Sequence, residues 1–275
     1  MPKDAPPTQT PPALPLLQAQ PDAPSVWAAV GLVSLYLMLQ VLFAGVLLLA
    51  VALVRHIAHA ASAVSSARAA VTSTLQLPGT AAAVTIAGVF FSGLLVVWLI
   101  YRHWPQLWAR AVPPGFGVAR PAHRRWLVAA LLVGGLLPLL GGMLTQVLAH
   151  GHEVPQDITQ LTQHAPLVWR VLLAIMAISV VPLVEELLFR GVLLSTLIPR
   201  CGTPLAALLS AAVFAGIHLP GLQWQWYGLP QLILLGIALA WLRLRYQSLW
   251  PAVVTHGAHN ALALAVMFFT LAPPS

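Results

Sequence analysis

Six carboxylates serve a chain of 275 residues, and their placement is uneven. Asp4 and Asp22 lie in a proline-rich beginning, and Glu153 and Asp157 in a polar stretch, 150–166. Only Glu185 and Glu186 stand inside an apolar run, Val180-Val-Pro-Leu-Val-Glu-Glu-Leu-Leu-Phe-Arg190. A carboxylate at the middle of a bilayer costs about 2.5–3.5 kcal/mol on insertion scales, so an acid there is a functional-site hypothesis by default. Glu186 and Arg190 stand at i and i+4 with the acid on the N-terminal side, the favourable order for an ion pair on one helix face. Glu185 is rotated about 100° away and stays free for chemistry. Pro182 lacks an N–H and clashes with the carbonyl one turn upstream, so the spacing predicts a kink or opened backbone beside the acids that would admit water.

Two more polar groups interrupt apolar runs. Phe214-Ala-Gly-Ile-His218 puts a histidine one turn after a phenylalanine, and His256-Gly-Ala-His259-Asn260 puts His256 and Asn260 on one face, with His259 at its edge. Each cluster alone has a plainer reading. The two acids and Arg190 would make a buried ionic knot or a proton path, the lone histidine an interhelical hydrogen bond, Phe214 core packing, and His256 with Asn260 interhelical glue. Together they supply a general base (Glu185), an imidazole (His218), a hydrogen-bonding pair (His256, Asn260) and a fixed ion pair (Glu186, Arg190). Those are the parts for hydrolysing an amide: a water activator and an oxyanion hole.

The order Glu185-Glu186-x-x-x-Arg190, Phe214-x-x-x-His218, His256-x-x-x-Asn260, with Gly191 after the arginine, resembles the CAAX-protease and bacteriocin-processing (CPBP, or Abi) family of intramembrane proteases. The resemblance covers about residues 165–270. It implies that Glu185 and His218 bind and activate the attacking water, that Glu186 and Arg190 pair to hold Glu185, and that His256 and Asn260 stabilise the oxyanion. The family is often called metalloprotease, and a metal-free glutamate mechanism is also argued for it. Glu185, His218 and His256 would make a two-histidine, one-carboxylate Zn2+ site with an open position. No local HExxH spacing is present, and an asparagine suits an oxyanion better than zinc, so metal-independent activation is favoured.

These residues need membrane helices to position them. Hydrophobic residues make up 59% of the chain and charged ones 7%, with a mean hydropathy of +0.86, against roughly 25% charged in a soluble domain. The expected fold is all-α, a polytopic transmembrane bundle of seven or eight helices. A bilayer core needs about 20 apolar residues, and the candidate segments are 26–54, 81–101, 126–149, 167–189, 204–219, 229–242 and 252–271. The short run 191–199 either continues the fourth or stands apart, and 55–76 reads as a short surface helix. The division expected is a disordered tail (1–24, with eight prolines and no signal-peptide pattern), N-terminal helices and loops (25–164), and a catalytic core (165–272). Arginines 102, 110, 120, 124 and 125, with 243 and 245 and the alternation of seven crossings, place 102–125, 190–203 and 243–250 in the cytoplasm, the N-terminus inside and the C-terminus outside, while Arg55 and Arg68 run against that rule. Tryptophans 27, 104, 126, 169 and 250 are interface anchors. One difficulty arises: these helix ends put Glu185 and His218 at different depths, unless the fourth helix runs on to about Ile198 or the fifth is displaced. Residues 219–228 are an aromatic turn at the interface or a lid.

The composition excludes a soluble globule and a disulfide scaffold. Cys201 stands alone, and the expectation for it is a buried, inert thiol. A basic balance of +7 rests on 13 Lys and Arg, of which only Lys3 is lysine, and suits anionic lipid rather than nucleic acid. Partners expected are membrane lipid and a peptide or membrane-protein substrate, in a bacterial cytoplasmic membrane. His56 and His59 are read as exposed on the surface helix, and His150, His152 and His164 as a solvated loop rather than a metal site. The competing functions are a non-proteolytic scaffold or immunity protein of the same family and, with no inverted repeat to support it, a proton-coupled transporter.

Overall fold

The computed structural model describes residues 23–58, 67–121, 123–152, 161 and 165–270. The tail, His59, His164, Glu153 and Asp157 lie outside them, and the Arg68 side chain is also not described. Every regular element among the described residues is helical. In chain order these are α1 (Val26–Ala58), α2 (Ala67–Leu75), α3 (Thr80–His103), the single turn α4 (Pro105–Trp108) and α5 (Arg125–Ala149). A long composite helix follows: α6 (Leu167–Ile175), a π-helical turn (Met176–Val180), α7 (Val181–Glu186), a second π-helical stretch (Leu187–Leu193) and α8 (Leu194–Ile217). Two 3-10 turns lead to α9 (Leu229–Arg245) and α10 (Trp250–Thr270).

Among the described residues five stretches are long and apolar enough to cross a membrane: Val26–Ile57, Thr80–His103, Arg125–Ala149, Leu167–Ile217 and Trp226–Arg245. Leu167–Ile217 is really two arms. Gly202, at φ 76° and ψ 164°, breaks it between Pro199 and Pro204, a conformation open to a residue without a Cβ. With the two arms separated and α10 added, each of the seven apolar segments of the sequence is a helix. The run 191–199 continues the fourth. The surface helix expected over 55–76 is shorter. Its first residues belong to α1, where His56 is exposed and Arg55 bonds to Thr74 Oγ1 at 3.1 Å.

The first arm resolves the question of depth. From Leu167 to the Gly202 break it spans about 50 Å at 1.5 Å per residue, more than a bilayer core of about 30 Å. Glu185 lies at its middle, not near its end.

Packing follows from small residues. α1 lies along α3, where a Cβ on Gly88 would sit 2.9 Å from the Gln40 carbonyl oxygen. α5 lies along α10, where a Cβ on Gly134 would sit 2.7 Å from both the Ala258 Cβ and the Thr255 carbonyl oxygen. α9 lies along the second arm of the composite helix, with Gly236 against Ala211. The main core forms around residues 184–196, buried throughout, with Tyr36 and Leu39 of α1, Val96 and Ile100 of α3, Phe214, and Leu235 and Leu239 of α9.

The loop after α3 is fastened from inside. Leu107 and Phe116 are buried, and Phe116 N–H donates to the Leu107 carbonyl at 2.8 Å. Arg243 Nη2 donates to the Gly115 carbonyl (2.7 Å), Leu249 N–H to Gly117 (2.7 Å), Ser248 Oγ to Ala119 (2.7 Å) and Trp250 Nε1 to Val118 (2.8 Å). Arg243 is therefore not one of the interfacial charges that the sequence pattern made of it. It is fully buried, a cation whose guanidinium holds a loop carbonyl. Cys201 is also more open than expected: half-buried, its thiol against the Leu197 carbonyl at 3.4 Å.

Candidate active site

Three helices bring their polar residues to one cavity. The first arm supplies Glu185, Glu186 and Arg190, the end of α8 supplies Phe214 and His218, and α10 supplies His256, His259 and Asn260. A cavity of about 220 Å3 is lined by Glu185, Phe214, His218, His256, His259 and Asn260, with apolar walls from Ala177, Val181 and α9. All six residues singled out for chemistry are within or directly behind it.

The pair expected from the i, i+4 spacing forms. Arg190 Nη1 donates to Glu186 Oε1 at 3.0 Å, and both side chains are fully buried. Arg190 Nη2 also donates to the Gly236 carbonyl, at 3.2 Å. The guanidinium carbon stands 4.5 Å over the Phe214 ring, a stacked cation–π contact. What the pair holds is a surprise. Glu186 Oε1 accepts a second hydrogen bond, from His256 Nδ1 at 2.9 Å. The ion pair thus fixes an imidazole directly, and bears on Glu185 through that imidazole and the shared helix.

The second histidine is oriented likewise. His218 Nδ1 donates to the Phe214 carbonyl at 2.7 Å, one turn back. With both Nδ1 atoms donating, both Nε2 atoms face the remaining carboxylate. Glu185 Oε2 lies 4.0 Å from His218 Nε2 and 3.9 Å from His256 Nε2, and it is buried without a hydrogen-bond partner. Phe214 is the spacer. Its ring centroid is 4.7 Å from that of His218 and 5.6 Å from that of His256, so core packing and site geometry are one role here.

The spacing discriminates between occupants. A water about 2.8 Å from each atom would span the 3.9 and 4.0 Å separations at angles near 90°. A zinc ion at about 2.1 Å from each donor would need angles of about 136–145° across the same pairs, far from tetrahedral. Among the described residues no group of three His, Cys, Asp or Glu side chains is placed to hold a metal ion. At these two separations the carboxylate oxygen and the imidazole nitrogens frame a water more closely than a tetrahedral zinc ion. Of the other histidines, His150 and His152 are exposed, with His152 Nδ1 on the Ala149 carbonyl at 2.7 Å.

One further group lines the site at the edge its spacing gave it, and another escaped the sequence pattern. His259 lines the cavity, is 5% exposed, and keeps Nδ1 without a partner. Its edge position in the HxxHN spacing was the available signal. Tyr36 of α1, 1% exposed, packs in the same core cluster as Val184, the residue before Glu185, and no spacing rule links it to residues so far along the chain.

Residues 167–262 match the family model described as Type II CAAX prenyl endopeptidase Rce1-like. The match agrees with the resemblance carried by the three motifs and takes in all of them. It supports a protease-type enzyme, and with five apolar helices of spanning length it supports an integral membrane protein in contact with lipid. No curated protein and no solved structure matches the chain.

Proposed function

We propose that this chain is an intramembrane endopeptidase that activates water without a metal. The observation that carries the reading is the unpartnered Glu185 Oε2 between two imidazole Nε2 atoms, 4.0 and 3.9 Å away, inside a cavity within the bundle. Water held between Glu185 and His218 loses a proton to Glu185 as its oxygen attacks the peptide carbonyl carbon. The carbonyl oxygen becomes an oxyanion and takes hydrogen bonds from Asn260 Nδ2 and from Nε2 of His256 in its doubly protonated form, with the Glu186 carboxylate opposite Nδ1. Glu185 then returns its proton to the amide nitrogen as the C–N bond breaks, which leaves a carboxylic acid and an amine. Burial strengthens each of these interactions relative to water.

The test is proteolysis by the purified protein, wild type against Glu185→Gln, with and without chelator. Cleavage by the wild type that survives chelator, and a loss of at least about 100-fold in Glu185→Gln, support the reading. A Glu185→Gln variant that cleaves at the native rate refutes the base. Loss of wild-type activity on chelation, restored by zinc, refutes the metal-free route.

A further inference from the structure

Asn260 does something besides face the cavity. Its Nδ2 donates to the main-chain carbonyl of Ala177 at 2.8 Å, across from α10 to the first arm. The reason that carbonyl is free lies in the backbone register. Val181 N–H donates to the Met176 carbonyl, five residues back. In that register the next acceptor is the Ala177 carbonyl, and its donor would be the N–H of residue 182. Residue 182 is proline and has none. Val181, the donor an ordinary α-helical register would offer, is already engaged. The Ala177 carbonyl is thus orphaned by Pro182, at a depth where an unsatisfied main-chain group is costly.

The neighbouring carbonyl is closed from the same helix. Gly257 lies so near the Ile178 carbonyl oxygen that a Cβ at 257 would collide with it. One turn of α10 therefore covers the stretch that Pro182 opens, and Glu185 follows Pro182 by three residues. We infer that Asn260 is a positioning residue as well as a cavity residue: its amide caps the carbonyl orphaned by Pro182, and that cap sets where α10, with His256, stands against the helix of Glu185.

This inference needs no catalysis to be tested, so its failure and that of the protease reading are separable. A double-mutant cycle joins wild type, Asn260→Ala, Pro182→Ala and the double variant in lipid vesicles. Asn260→Ala is expected to lower the unfolding midpoint by about 3–6 °C. In the Pro182→Ala background, where residue 182 regains an N–H, the same change should cost less than half as much. Where peptide cleavage is measurable, part of the kcat lost in Asn260→Ala should return in the double variant, with KM unmoved. Equal losses in both backgrounds would overturn the inference and leave Asn260 with the oxyanion alone. Hydrogen exchange of the single Asn260→Ala variant gives a check that does not depend on Pro182→Ala folding. Amides of 179–187 should exchange about tenfold faster, and unchanged exchange there counts against the cap.

Discussion

Two long apolar helices, α1 and the arm from Leu167 to the Gly202 break, solve different problems with similar composition. α1 turns Val41, Leu49 and Leu53 outward along its length and buries residues such as Ala29, Val33 and Tyr36 in its first half. The arm is buried without interruption from Val184 to Thr196, and it buries Glu185, Glu186, Arg190, Ser195 and Thr196 there. Lipid is as apolar as the side chains it meets, so an outward leucine gains little from exchange with another. A buried acid keeps its place only while its partners do. Function in this molecule is marked by hidden polarity, not by apolar length.

The contrast can be broken most directly at the ion pair. Arg190→Met removes the partner of a fully buried carboxylate and should cost about 3–5 kcal/mol, read as loss of folded protein in detergent. Exchanging Glu186 and Arg190 together for Leu and Met should recover much of the stability and none of the cleavage, because His256 Nδ1 then has no acceptor. Next in size, Gly134→Ala sets a Cβ 2.7 Å from Ala258 and the Thr255 carbonyl and should destabilise by about 1–3 kcal/mol. His218→Ala should lower kcat by about 100-fold or more with a thermal midpoint near that of wild type, since its one hydrogen bond is to a carbonyl one turn back in its own helix. At the small end, Leu49→Ala on the outward face of α1 should change stability by less than about 0.5 kcal/mol. A large effect there would mean that α1 meets a partner rather than lipid.

Much of the site is legible in the sequence. The i, i+4 order of Glu186 and Arg190 predicts their bond because helix geometry alone brings them together. Pro182 predicts disturbed backbone because it lacks a donor wherever it stands. Other features were not legible. Spacing left Arg243 as one more terminal arginine, since burial by a loop more than a hundred residues earlier is invisible to local pattern. Tyr36 was missed for the same reason. The depth conflict between Glu185 and His218 came from ending the fourth helix at residue 189; the chain continues it to Gly202, where a positive φ allows the turn.

Sequence alone determined that the chain is a helical membrane protein, which residues are too polar for their apolar surroundings, and which of them share a helix face, because these depend on composition and on a period of 3.6 residues. Only tertiary structure decided that Glu186 holds His256, that Glu185 is left between two imidazoles, and that Asn260 closes the carbonyl left open by Pro182. Those contacts join residues some thirty to more than eighty positions apart, and the small residues that let the helices approach set them.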